Sequence, residues 1–509
     1  MRWLMAAVFI AAIHARGATA IHADALFNLT NVWTVHLTFT PTQWSALEPK
    51  RADVERRGFG GGGPRLLGPE GGRNGLSAAR GIEFEYVHAN LEFEGMKFTN
   101  IAVRYKGNGT FMRSRDSLKH SLKLDLNKFM PGQKLAGVSK LNLHNNVTDA
   151  SWMNETLSYR LYREAGVPAP RTSYARVFVT VPGEHARTYL GLYSLVENID
   201  GNFAEENFET KKGAIFKPVT RELFDHLGDD WAKYNQMYDP KTELTAKQSQ
   251  RVIDFAAFVT RADDKEFAAR VGEFLDLDEF ARFMAVTVYL STLDSVLGMG
   301  QNFVVYLHPK SNTFQFIPWD LDNSFGQFPM SGTQEDREQL SIGHPWQGEN
   351  RFIARVFKVE PFQKSYRARL EEFSGTLFKA ERFTNQVNAV AAAIRSAVKV
   401  EPDERLSLFD KAVAGENVTR PRGSGGMRGG EFGGRGFGEV KPIKAFAAAR
   451  SQSVADQLEG KSEGRIVTRG MGRRGPGEPG EPLGPFDGPR WFDRFEREIP
   501  PPGAPSLPR

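Results

Sequence analysis

The chain of 509 residues contains no cysteine. Disulfides, thiolate metal sites and a cysteine nucleophile are therefore excluded, and stability has to come from a packed core. Long apolar runs are missing as well. The stretch from Trp3 to Ile13 is too short to cross a bilayer, which takes about 20 residues. Charge of one sign is scarce: 66 Lys and Arg against 61 Asp and Glu leave +5, much of it in Arg/Gly-rich segments. Such a distribution argues against a nucleic-acid partner. There is no internal repeat, and no alternation of strand and helix of the kind that builds a parallel sheet.

Aromatic residues are plentiful, with 38 Phe and 11% aromatics overall. Mean hydropathy is −0.42, so the chain reads as globular, with a core large enough for two or three domains or one bilobed body. The opening "MRWLMAAVFIAAIHARGATA" has Arg2, a short apolar run and Ala18-Thr19-Ala20. This is the pattern of a cleavable secretory signal over residues 1–20, which predicts a secreted, extracytoplasmic protein with no transmembrane segment after cleavage.

The region 25–220 reads as β-rich, interrupted by a flexible glycine-rich insertion over 56–80. "LKHSLKLDL", Leu118 to Leu126, alternates strictly, with Leu118, His120, Leu122, Leu124 and Leu126 on one face and Lys119, Ser121, Lys123 and Asp125 on the other. "DASWMNETLSYRLYREAG" predicts a helix capped by Asp149 or Ser151 and stopped at Gly166. From 221 to 460 the period becomes helical, broken by one hairpin, "QNFVVYLHPKSNTFQFIPWDLD", and by a Gly/Arg-rich loop over 420–440. Residues 461–509, rich in Gly, Pro and Arg, are expected to be disordered.

Two constellations carry chemistry. An antiparallel hairpin returns to its starting end, so Asn302 and Asp320 should lie together, with Asp294 just before the loop and Asp322 just after. Such hard oxygen ligands suit Mg²⁺, Mn²⁺ or Ca²⁺. The plainer reading is that these residues cap turns. The second constellation is "RYKGNGTFMRSRDSLKHSLK", which gathers Arg104, Lys106, Arg113, Arg115, Lys119 and Lys123 around glycines, suited to phosphate or simply to a solvated hairpin tip. Together they fit metal-assisted phosphoryl transfer, which consists mostly of positioning and charge neutralisation. An Asp-x-Asp after a strand also suits a metal-dependent glycosyltransferase, but the missing βαβ pattern stands against that.

The stretches "VRYKGNGTF", "KHSLKLDL", "LNLHNNVTDASWMNETLSYRLYREAGVPAP", "YLGLYSLVENID", "IFKP", "QNFVVYLHPKSNTFQFIPWDLDNSFG" and "RSQSVADQL" resemble, in order and spacing, the CotH kinase family of spore coats. The resemblance runs roughly from Phe27 to Gly460. It implies an α+β, divergent protein-kinase-like bilobal fold: a β-rich N-terminal lobe and a mainly helical C-terminal lobe whose β-hairpin carries the metal site. It further implies an ATP- and Mg²⁺- or Mn²⁺-dependent kinase acting on Ser or Thr of surface or coat proteins. The oligomeric state is left open, with a monomer favoured. By the same resemblance Asp294 is the catalytic base or a second metal contact, and Asp320 and Asn302 hold metal. Lys119 or Lys123, with Arg104 and Arg113, meets the phosphates, Glu197 meets adenine or ribose, and Glu155 stands nearest to a lysine-pairing position. Asp322 joins the metal set, or else only hydrogen-bonds the turn at Asn323 and Ser324. The chain departs from ordinary kinases in lacking a His-Arg-Asp loop and Gly-x-Gly-x-x-Gly. A non-catalytic surface or matrix protein on the same fold is the alternative.

Overall fold

The structure is a computed structural model and describes residues 21–49, 83–107, 109–114, 117–419 and 439–468. The expected signal segment, the glycine-rich insertion, the loop over 420–438 and the tail beyond 468 lie outside the described residues.

Seven strands close a barrel in the order β1-β2-β3-β4-β5-β7-β6. They are β1 (Val32–Thr38), β2 (Val87–Phe93), β3 (Met96–Tyr105), β4 (Leu122–Asp125), β5 (Lys140–His144), β6 (Thr172–Val181) and β7 (His185–Glu197). Neighbours are antiparallel except where β1 runs parallel to β6 and seals the barrel. Alternation sets the inside: Val87, Ala89, Leu91 and Phe93 of β2 are buried, while His88 and Asn90 are exposed. Closure leaves the barrel sheet no open edge.

The strand expected over Leu118 to Leu126 is shorter than its pattern. Only Leu122–Asp125 pairs, and Leu118 is 42% exposed, because His120 N–H turns back to the Leu118 carbonyl at 2.9 Å. A helix, Asn154–Glu164, follows β5. Its cap is Asp149 acting at a distance, with the carboxylate accepting the Asn154 N–H at 2.8 Å. Gly166, at φ +75°, ends it as expected.

A second, larger core holds the helices Ala246–Arg261, Leu277–Tyr289, Glu360–Gly375, Ala380–Val398 and Ile443–Leu458. The helical pattern starting at Arg351 is in fact two helices, Arg351–Val356 and Glu360–Gly375, the second opening with Pro361 in its first turn. The expected hairpin, β9 (Phe303–Leu307) and β10 (Phe314–Pro318), gains a third strand, β8 (Ala214–Phe216), beside β9. Arg450 of "RSQSVADQL" is fully buried and donates to the carbonyls of Val288, Glu338 and Leu340, tying the last helix to the end of Leu277–Tyr289. The expected disorder from Lys461 does not begin there: Arg465 bridges Leu340, and Val467 is buried against this core. Among the described residues no helix is long and apolar enough to cross a membrane.

Candidate active site

The helix Leu277–Tyr289 and the β9–β10 hairpin build one wall of the site. After the helix the chain turns through buried Asp294 into a loop where glycine is obligatory. A Cβ on Gly298 would stand 2.3 Å from the Leu293 carbonyl oxygen, and one on Gly300 2.2 Å from that of Thr220. In the hairpin Phe303 pairs with Pro318, so Asn302 and Trp319 meet at the same end, with Trp319 N–H donating to the Asn302 carbonyl at 3.1 Å. Asn302 (φ +60°) and Asp320 (φ +54°) take left-handed backbone, which Asn and Asp tolerate best among side-chain-bearing residues. This bends the chain out of the strand directly at the carboxylate.

Asp294, Asn302 and Asp320 therefore lie together. Asn302 Nδ2 donates to the Asp294 carbonyl at 3.0 Å. The Asp294 carboxylate is held from both sides, by Gln301 Nε2 at 2.8 Å and Asn323 Nδ2 at 3.2 Å. Burial, and then the Asp320 charge, push its pKa up to about 6 against those hydrogen bonds. Among the described residues no hydrogen bond engages the Asp320 carboxylate, although its backbone N–H donates to Tyr159 Oη at 3.0 Å. Asp322 is engaged on both oxygens, by Thr148 Oγ1 at 2.7 Å and Asn323 Nδ2 at 2.9 Å. Its carbonyl accepts from Asn154 Nδ2 at 3.1 Å, so Asp322 ties this wall to the barrel side.

The opposite wall comes from residues far apart in sequence. Lys106 follows β3, His144 ends β5, Glu155 lies in the first turn of Asn154–Glu164 and Lys217 follows β8. Lys106 Nζ donates to His144 Nε2, and His144 Nδ1 meets the Glu155 carboxylate at 2.8 Å. Lys106 and Lys217 both lie over the Trp319 ring, with Nζ 4.9 Å and 5.5 Å from its centroid. Burial lowers both ammonium pKa values, and the charge of Asp320 opposes the shift in each. His144, Glu155 and Asp320 offer ligand atoms within 4.8 Å of one another.

The cations expected at this wall divide. Lys123 is half-buried on β4 opposite Arg104, where burial, then Arg104 and Lys140, bring its pKa down to about 8. Arg104 lies over Tyr86 at 5.2 Å and donates to the Tyr105 carbonyl at 2.9 Å. Arg113 ends the short helix Gly109–Arg113 and sits close enough for its charge to act on Asp294. Lys119 is elsewhere: its ammonium pairs with buried Glu401 at 2.6 Å, 5.4 Å from the Trp152 ring. The short β4 explains this, because Lys119 precedes the strand and the alternation does not govern it. The Glu197 carboxylate is occupied by Arg171, at 2.5 Å and 3.1 Å, instead of lying open to a ligand.

His144 and Lys217 were absent from the sequence expectation. Their signal was weak but present, since "IFKP" puts a lysine directly after an apolar strand and "KLNLH" ends a strand on histidine.

Comparison with known proteins gives two findings. A family model described as CotH kinase protein matches residues 103–452, an interval that contains both walls. Inner spore coat protein H of Bacillus subtilis (strain 168) is 26% identical over 322 residues, covering 62% of this chain and 83% of that protein.

Proposed function

Because the chain belongs to the CotH kinase protein family, we propose that it is a divergent kinase-like phosphotransferase. In this reading it moves the terminal phosphoryl group of ATP, with Mg²⁺ or Mn²⁺, to Ser or Thr hydroxyls of surface or coat proteins outside the cytoplasm. The barrel and the helical body act as two lobes. The observation that carries the reading is the gathering of opposite charges in one place. Asp320 lies close enough for its charge to act on Lys106, Lys217 and Asp294, and phosphoryl transfer needs both cations and carboxylates. The name of the Bacillus subtilis relative supports a coat substrate, and the N-terminal apolar run supports export.

The donor set fits a hard divalent cation, because the Asp320 carboxylate and the Asn302 amide offer oxygen and, among the described residues, no hydrogen bond takes up the former. When bound, the ion supplies charge neutralisation to phosphate oxygens. Lys106 and Lys217 bind those oxygens as point charges, and the Trp319 ring beneath them fixes their height. Asp294 orients the acceptor hydroxyl and takes its proton. Its raised pKa makes it a stronger base while leaving it mostly ionised at neutral pH. Gln301 and Asn323 hold the carboxylate in register for that transfer.

The test is transfer of labelled phosphate from ATP to a Ser-rich protein, with Mg²⁺ and with Mn²⁺, by the wild type and by Asp294→Asn. Transfer by the wild type and its loss in the variant is the expected result. A folded wild type that transfers nothing with either metal ends the enzymatic reading.

A further inference from the structure

Protein kinases pair a strand lysine directly with a glutamate of the following helix. Here the helix Asn154–Glu164 follows β5, and the side chain that β5 offers to Glu155 is His144. We propose that His144 is a positioning residue for nucleotide binding, relaying the anchorage of Glu155 through its ring to the Lys106 ammonium. The inference rests on the nucleotide reading above and names a part of that site.

Both ring nitrogens of His144 are engaged, one by Lys106 and one by Glu155. With Lys106 charged, its ammonium only donates, so His144 Nε2 accepts and the single ring hydrogen is on Nδ1, where it is given to Glu155. The ring is buried, with Trp319 edge-on at 5.9 Å and 87°, so it has no freedom to turn away. Glu155 in turn accepts from Tyr159 Oη and from the backbone N–H of Leu321. One carboxylate therefore fixes two things at once: the Lys106 ammonium, through His144, and the loop carrying Asp320, through Leu321. The ring also separates Lys106 from Glu155, so the ammonium is held without forming an ion pair that a phosphate would have to break. A metal held by His144, Glu155 and Asp320 is the rival use of the same atoms. It is disfavoured because each ring nitrogen already has a partner.

The experiment uses the full chain and measures ATP dissociation constants by calorimetry, ATP-induced thermal shifts, and kcat and KM for ATP. Melting without nucleotide reads folding separately. His144→Leu is expected to weaken ATP binding and raise KM for ATP by about 10-fold or more, with kcat changed less, the scale on which partners behind a primary ligand act. Lys106→Ala should do the same, and adding His144→Leu to it should cost nothing further. His144→Gln, which keeps one donor and one acceptor, should recover ATP binding to within a few-fold of wild type. If His144→Leu does not fold, His144→Phe carries the same expectation. A folded Leu or Phe variant that binds ATP as tightly as wild type overturns the inference. So does full additivity with Lys106→Ala, or a ring whose spectroscopic signature shifts on adding Mn²⁺ alone. Failure of the wild type to bind ATP overturns the nucleotide reading together with this inference.

Discussion

The two walls of the site are built by different rules. The carboxylate wall comes from one helix end and one hairpin, so Asp294, Asn302 and Asp320 fall within 27 consecutive residues and meet because a strand returns antiparallel to its neighbour. The cation wall is assembled from four separate elements, with Lys106, His144, Glu155 and Lys217 spread over 112 positions. Local turn chemistry holds the first wall, while the second depends on the order of strands in the barrel and one histidine, with Lys217 brought in by β8 beside β9. Damage to the first should therefore show mainly in chemistry, and damage to the second mainly in nucleotide affinity.

The largest effect is expected at Asp320, whose carboxylate has no hydrogen bond to lose among the described residues. Asp320→Ala should keep the apo melting temperature within a few degrees and reduce labelled-phosphate transfer by roughly 1,000-fold. Unaltered transfer would mean that the first wall is misidentified. Asp294→Asn comes next: loss of a positioned base should cost about 100-fold or more in kcat with little change in KM for ATP. That split can be read from steady-state kinetics.

A third prediction separates the cleft from a contact that resembles it. Lys119 and Glu401 form a buried pair, and Glu401 also accepts the Leu192 N–H at 2.6 Å. Glu401→Gln or Lys119→Met should lower unfolding free energy by about 3 kcal/mol, as expected when one partner of a buried pair is removed. KM for ATP of the surviving folded enzyme should not move, a result checked by denaturant titration alongside kinetics.

A pH-dependent effect, at most as large, is expected near the barrel core. Burial among Tyr105 and Phe111 holds His120 at a pKa down to about 4. The unfolded chain takes up that proton near 6.5, so the stabilising contribution is complete above 6.5 and is lost as pH falls toward 4. The window carries up to about 3 kcal/mol, the equivalent of two to three pKa units. His120→Phe should flatten the fall in melting temperature between those pH values.

These contrasts also explain how much could be read in advance. "QNFVVYLHPKSNTFQFIPWDLD" contains its own geometry, since alternation and the turn at its centre dictate which residues share an end. Barrel neighbours are not encoded in this local way. Nothing in "KLNLH" announces that β5 lies between β4 and β7, nor that its last residue faces the first turn of the next helix. Lys119 illustrates the opposite error. Its place in an alternating run implied a cleft-facing side chain, but the pairing begins only at Leu122, and the residue before the strand follows its turn toward Glu401. The Glu197 carboxylate is likewise claimed by Arg171, a partner 26 residues away that no periodicity marks.

The most direct test compares Lys106→Ala with Lys123→Ala, the two lysines that compete for the phosphates, by transfer of labelled phosphate at subsaturating ATP. The account predicts a fall of about 100-fold for Lys106→Ala, most of it in affinity for ATP, as expected when a cation that binds the phosphates is lost. For Lys123→Ala it predicts a fall of less than about 10-fold, since that ammonium is not held against Trp319 and His144. Equal losses, or a greater loss at Lys123, would contradict the cation wall as described.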